Sequence, residues 1–227
     1  MTLALLLSQI VLEPHCEVAT GRFSKNEQKR GGWAFFKVGA EVFRFKGVGF
    51  TAGGWAGVMT KEGQGIIQFA PWWADYCGYV GFQREDLSLR LEHSCFHRVD
   101  TAVERSLYWN CIRLYWEGAR GPFWGFFSGA FYINDKDMYW LSMGADYAND
   151  LTWELEYSPL PYTFLRFWNF TGVGLNYRRF HIGTEIDAGV LFTRDNLRLR
   201  LFLGWRPYDR NEHRPTEAFL AGLRFGF

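Results

Sequence analysis

The chain stops at AFLAGLRFGF (residues 218–227), and the reading of this stretch decides the fold. Phe219, Ala221, Leu223, Phe225 and Phe227 share one face of an extended chain, with Gly222, Arg224 and Gly226 on the other, because side chains alternate along a strand. In a soluble sheet, so hydrophobic a terminal edge would invite aggregation. Closed on itself within a membrane, the sheet has no free edge.

The same period of two runs back through the chain. In WAFFKVGAEVFRF, from Trp33, the residues Ala34, Phe36, Val38, Ala40 and Val42 alternate with Lys37, Gly39 and Glu41. Leu87, Leu89 and Leu91 oppose Ser88, Arg90 and Glu92. Ile186, Ala188, Val190 and Phe192 oppose Glu185, Asp187 and Gly189, and Leu197, Leu199, Leu201 and Leu203 oppose Arg198 and Arg200. Such runs are the strand pattern, not the helical one. Short clusters punctuate them at 60–63, 118–121, 134–137, 148–150, 158–161, 171–174 and 193–196, and a longer polar loop spans 207–217.

Composition narrows the setting. A net charge of +1 gives no electrostatic case for nucleic acid. Eleven Trp, eleven Tyr and twenty-two Phe need a large core or a membrane interface to cover them. No apolar run is long enough for a transmembrane helix. Residues 1–30 read as a separate N-terminal segment, a targeting remnant or periplasmic extension, because Thr2–Leu12 is apolar but lacks a basic flank and an A-x-A site. Cys16, Cys77, Cys95 and Cys111 form no C-x-x-C pair, so no zinc site is expected, and nothing in the chain calls for a cofactor.

A final alternating strand ending in Phe resembles the C-terminal signature of bacterial outer-membrane barrels, which their assembly machinery reads. The resemblance implies that Phe219, Leu223, Phe225 and Phe227 carry the assembly signal, with that machinery and outer-membrane lipids as partners. The expected fold is all-β: a closed antiparallel transmembrane β-barrel of about 12 strands (range 10–14) over residues 31–227 in the bacterial outer membrane. Trp33, Trp116, Tyr147, Tyr157, Tyr162 and Trp205 sit at strand ends, as an aromatic girdle would. Arg44, Arg90, Glu92, Glu185 and Asp187 are expected to face the lumen and pair across a narrow bore.

One stretch breaks the apolar face. LEHSCFHRVD (residues 91–100) carries the register of Leu87, Leu89 and Leu91 on to His93, Cys95 and His97. If the hairpin pairs residues summing to 203, His93 falls opposite Asn110 and Cys95 opposite Tyr108. Directly opposed Cβ atoms lie ~5 Å apart. His93 and His97, ~13 Å apart on a strand, cannot share a metal ion. His93 and Cys95, about 7 Å apart on one face, bring a base near a nucleophile, with Asn110 across from the base. Glu92 or Asp100 orients the imidazole only if the register bends. The other reading makes His93, His97, Arg98 and Asp100 headgroup-level strand-end residues.

His93-x-Cys95 resembles the H-x-S segment of lipid A deacylases, small outer-membrane barrels whose serine-hydrolase site faces the bilayer. Cys95 stands where the serine would be, and Ser94 is on the opposite face. Asp75-Tyr76, Arg90 and the H-x-S-x-H-x-x-D-like segment from His93 to Asp100 are similar to an uncharacterised outer-membrane barrel family, a resemblance that implies fold and location but no activity.

Three functions follow. They are a non-catalytic barrel in passive transport or envelope structure, a lipid-modifying acyl hydrolase centred on His93, and a soluble ligand-carrying β-barrel. With both termini periplasmic, reading 65–83 and 175–192 as single strands despite Pro71 and Gly183 gives 12 strands and places the loop 98–104 in the periplasm. Lipid A deacylation is then excluded; with 14 strands the loop is extracellular.

Overall fold

The alternation builds twelve antiparallel strands in a computed structural model, which describes residues 10–24, 30–61, 71–98, 107–133, 147–174, 180–195, 197–209 and 217–227. They are β1 (Ile10–Phe23), β2 (Arg30–Phe45), β3 (Val48–Lys61), β4 (Pro71–Arg84), β5 (Leu87–Arg98), β6 (Leu107–Arg120), β7 (Phe123–Ile133), β8 (Tyr147–Tyr157), β9 (Thr163–Gly174), β10 (Phe180–Arg194), β11 (Leu197–Asp209) and β12 (Ala218–Gly226). Each strand pairs with the next, and β12 pairs back to β1, so the barrel is closed as expected. The seam runs from Glu17↔Gly226 to Phe23↔Leu220, and Cys16 and Phe227 exchange backbone hydrogen bonds of 3.1 Å at its end.

Several expectations are corrected. The barrel does not begin at residue 31, because residues 10–23 of the supposed N-terminal segment form β1 and complete the wall. This strand was hidden by its pattern. Ala19 and Phe23 turn inward and are buried, while Thr20 and Arg22 face outward, and the register slips between Ile10 and Glu13. Residues 148–150 and 171–174, read as turns, are strand, and Pro71 opens β4, where its missing donor costs least.

Sidedness changes because residues 148–150 lie within β8 and not in a turn, which removes one crossing between loop 98–104 and Phe227, while β1 restores the total to 12. Phe227, the start of β1 and the turns after β2, β4, β6, β8 and β10 all lie at one end of the barrel. β5 runs away from that end, so Arg98 sits at the opposite rim. The placement of loop 98–104 on the same side as the termini is therefore overturned, although the count of 12 stands. The loop itself, residues 99–106, lies outside the described residues.

Four of the five connections at the terminus end are two residues long, and the fifth, between Tyr157 and Thr163, is five. Lys46 and Gly47 both take positive φ (49° and 80°), the geometry that continues the right-handed twist of a hairpin.

Outward residues form an apolar wall: Phe36, Val38, Phe82, Leu87, Leu89, Leu91, Leu201, Leu203 and Phe219 are all exposed. Trp116, Tyr157 and Tyr162 are exposed near the terminus end, as a girdle requires. Trp33 departs from that expectation: it packs inward against a lumenal cluster of Phe23, Phe164, Phe202, Ala218 and Leu220. The side chain of Tyr147 lies outside the described residues.

Charged side chains fill much of the remaining lumen. Arg113 donates to Glu92 (2.9 Å) and to both oxygens of Asp150 (2.5 and 2.7 Å), which Tyr132 also meets. The Arg90 guanidinium lies between the Tyr79 and Tyr115 rings, 4.4 and 4.1 Å from their centroids. Arg166 contacts Glu154 (2.8 Å), Glu185 (3.0 Å) and Asp187, and Glu185 also pairs with Arg206. Two contacts are chords. Arg200 on β11 reaches Glu156 on β8 (3.0 Å), and Arg224 on β12 comes within 4.0 Å of Glu154 on β8. Arg44 is the exception among the expected lumen charges. Its side chain is 52% exposed at the rim and pairs with Glu41 of its own strand (2.7 Å).

Candidate functional site

The register of β5 and β6 is the one the hairpin arithmetic gives: Leu87↔Trp116, Leu89↔Leu114, Leu91↔Ile112, His93↔Asn110 and Cys95↔Tyr108. His93 therefore stands exposed on the outer wall, and its Nδ1 is 2.9 Å from Asn110 Oδ1. A carbonyl oxygen only accepts, so Nδ1 carries the proton and donates. In the neutral ring this leaves the lone pair on Nε2, which points away from Asn110. Cys95, half-buried, is two residues further along the same face.

The remaining members of the stretch separate by face. Ser94 is 3% exposed, points to the lumen side and lies opposite Cys77 on β4. It has no access to the outer wall. Glu92 also turns inward and is committed to Arg113, so it does not orient the imidazole. Asn110 does. Asp100 and the side chains of His97 and Arg98 lie outside the described residues. Among the described residues, no group of three or more His, Cys, Asp or Glu side chains is placed to hold a metal ion.

Sequence reasoning did not single out the neighbour on the other side of His93. Gly78 of β4 lies directly opposite it, so His93 has Asn110 on one flank and no side chain on the other. A hollow of about 670 Å³ opens here in the outer wall, lined by Ala52, Gly78, Val80, Leu91, His93 and Asn110 among others. The signal was available: Gly78 continues the outward register of Tyr76 and Val80, and a glycine among outward apolar residues leaves a gap.

No family model matches the chain, and no curated protein matches it. Solved structures do. The outer membrane phospholipase A of Escherichia coli aligns at a TM-score of 0.63 and 9% identity, over 96% of this chain and 91% of that one. An active-site mutant of that phospholipase, with an asparagine replaced by alanine, gives 0.59 at 9% identity and the same coverage. The KdgM porin gives 0.50 at 10% identity, over 94% of this chain and 99% of that one. At these identities the likeness is one of fold. The chain has the architecture of the outer-membrane β-barrels, in agreement with its apolar outer wall.

Proposed function

We propose that this barrel is an acyl hydrolase acting on membrane lipids, with Cys95 as nucleophile, His93 as its base and Asn110 holding the imidazole. One observation carries the reading: the 2.9 Å His93–Asn110 hydrogen bond among the leucines and valines of a lipid-facing wall. Ionisable side chains facing hydrocarbon are costly, and their presence marks function more often than structure.

The chemistry follows from the tautomer. Nε2 takes the proton of the Cys95 thiol, and the sulfur attacks the ester carbonyl carbon. The imidazolium returns that proton to the departing alcohol oxygen, leaving an acyl thioester on Cys95. Water then attacks the thioester while Nε2 takes its proton, and the sulfur leaves with that proton as the fatty acid is released. Asn110 keeps the ring in one tautomer and one orientation through both steps.

The sidedness supports this reading. Short turns of outer-membrane barrels face the periplasm and longer loops face outside. Here the two-residue turns lie at the terminus end, while connections at the other end run to thirteen residues, between Ile133 and Tyr147. His93 lies five residues from the distal end of β5 and six from its proximal end, and Asn110 three from the distal end of β6, so on this orientation the pair leans toward the outer leaflet. The phospholipase named above shares the fold, and an asparagine belongs to its active site.

Passive transport, the role suited to the porin neighbour, is opposed by the chords Arg200–Glu156 and Arg224–Glu154 across the lumen. The test is acyl release by the purified chain in mixed micelles of detergent and phosphatidylcholine. Release is expected from the native protein and not from Cys95→Ala or His93→Ala. A folded native barrel that releases no fatty acid overturns the proposal.

A further inference from the structure

The hollow beside His93 continues as a trench across the strands. Successive pairings place Val38, Gly54, Gly78, His93 and Asn110 in one transverse row on the outer wall. Between His93 and Val38 that row carries no side chain. The proximal bank is Ala52, Val80 and Leu91, and the distal bank is Ala56, Tyr76 and Cys95. Three inter-strand steps make the trench roughly 14 Å long, at about 4.8 Å per step. It is apolar, open to the bilayer along its length, and has the thiol and imidazole at one end.

The two glycines do different work. A Cβ on Gly54 would stand 2.4 Å from the Cys77 carbonyl oxygen, so the close approach of backbone requires glycine. A Cβ on Gly78 would meet nothing within 4 Å. The fold does not require glycine at 78. The open space does.

We infer that this trench seats the acyl chain of the substrate lipid and that Gly78 is its specificity-determining residue, an inference that rests on the hydrolase reading of the same site. A chain lying over Gly78 and Gly54 passes its carbonyl end between His93 and Cys95, with Val38, 43% exposed, closing the far end. The occupant is an acyl chain because the banks offer apolar contact, with the Tyr76 hydroxyl and the groups at the reacting end as the polar exceptions. Chain placement of this kind turns the flat wall of a barrel into a surface that holds a substrate in register with its nucleophile.

The experiment reads occupancy apart from catalysis. The chain is reconstituted in phosphatidylcholine vesicles containing a trace of phosphatidylcholine with a diazirine in its acyl chain, then photolysed, and labelled residues are mapped by mass spectrometry. Labelling at Val80 and Leu91 is expected several-fold above that at Leu201 and Leu203, which report ordinary annular lipid. Gly78→Leu should bring it down to the annular level, and Gly78→Ala part of the way, both with native heat-modifiable migration. Equal labelling of the two walls, or an excess unmoved by Gly78→Leu, overturns the trench. Fatty-acid release, measured in parallel, separates the two claims. Trench labelling without release removes the hydrolase and leaves the binding site. Release with flat labelling leaves the hydrolase and removes the trench.

Discussion

Asn110 on β6 accepts a 2.9 Å hydrogen bond from His93 on β5, across one rung of the sheet and on the face turned toward lipid. The bond settles the imidazole tautomer, so its removal should act on the base rather than on the barrel. Asn110→Ala should lower kcat for acyl release about 100-fold, within the usual span for general-base catalysis, with KM little changed. His93→Ala should abolish release. Heat-modifiable migration should be native in both. An Asn110→Ala barrel with undiminished kcat would sink the orienting role.

Cys95 is the nucleophile only if its alkylation stops the reaction. N-ethylmaleimide should inactivate the native chain and should do so more slowly when micellar substrate occupies the site. Cys95→Ser should resist the reagent and keep a slower residual release, since a hydroxyl is the weaker nucleophile at neutral pH. Cys77 and Cys111 are buried on the lumen side, so their alkylation does not explain a loss that Cys95→Ser prevents. Inactivation of Cys95→Ser at the native rate would remove Cys95 from the mechanism.

Arg113 balances two buried carboxylates, Glu92 and Asp150, in the lumen. Arg113→Met leaves both without their cation and should destabilise the barrel by roughly 3–5 kcal/mol, the usual cost of orphaning a buried charge. Adding Glu92→Gln and Asp150→Asn to that variant should recover much of the loss, because neutral groups need no counter-charge. The measurement is the urea midpoint of reversible unfolding in phospholipid vesicles. A single variant as stable as the native chain would show that the network carries no net stabilisation.

Much of this was legible in the chain. Alternation located β2, β5, β10, β11 and β12, and the leucines at 87, 89 and 91 fixed both the outward face and the β5–β6 register that joins His93 to Asn110. β1 was not legible, because its lumen side carries Ala19 and Phe23 and its lipid side Thr20 and Arg22, the reverse of the pattern sought. The turn read at 148–150 lies inside β8, so one crossing too many was counted back from Phe227 and loop 98–104 fell on the wrong side. Trp33 was misplaced for a related reason, since position at a strand end says nothing about face when the lumen also holds rings. The trench was invisible because it is made of absent side chains on two strands, at Gly54 and Gly78, aligned only by register.

The last prediction concerns which leaflet the His93–Asn110 pair meets. Asp86, exposed in the turn between β4 and β5, lies at the terminus end, and Ser24, exposed just past β1, lies at the opposite end. In a background with Cys16, Cys77, Cys95 and Cys111 replaced, Ser24→Cys should react with a membrane-impermeant maleimide on intact cells. Asp86→Cys should react only after the outer membrane is permeabilised. That result places Arg98 and the distal half of β5 toward the outside, where the outer leaflet supplies the substrate lipid. The opposite pattern would turn the pair toward the inner leaflet, where lipid A is absent, and would leave phospholipid as the remaining ester substrate. The same two variants, assayed for folding by heat-modifiable migration, separate misplacement from misfolding, because a barrel that has not inserted labels at both positions alike.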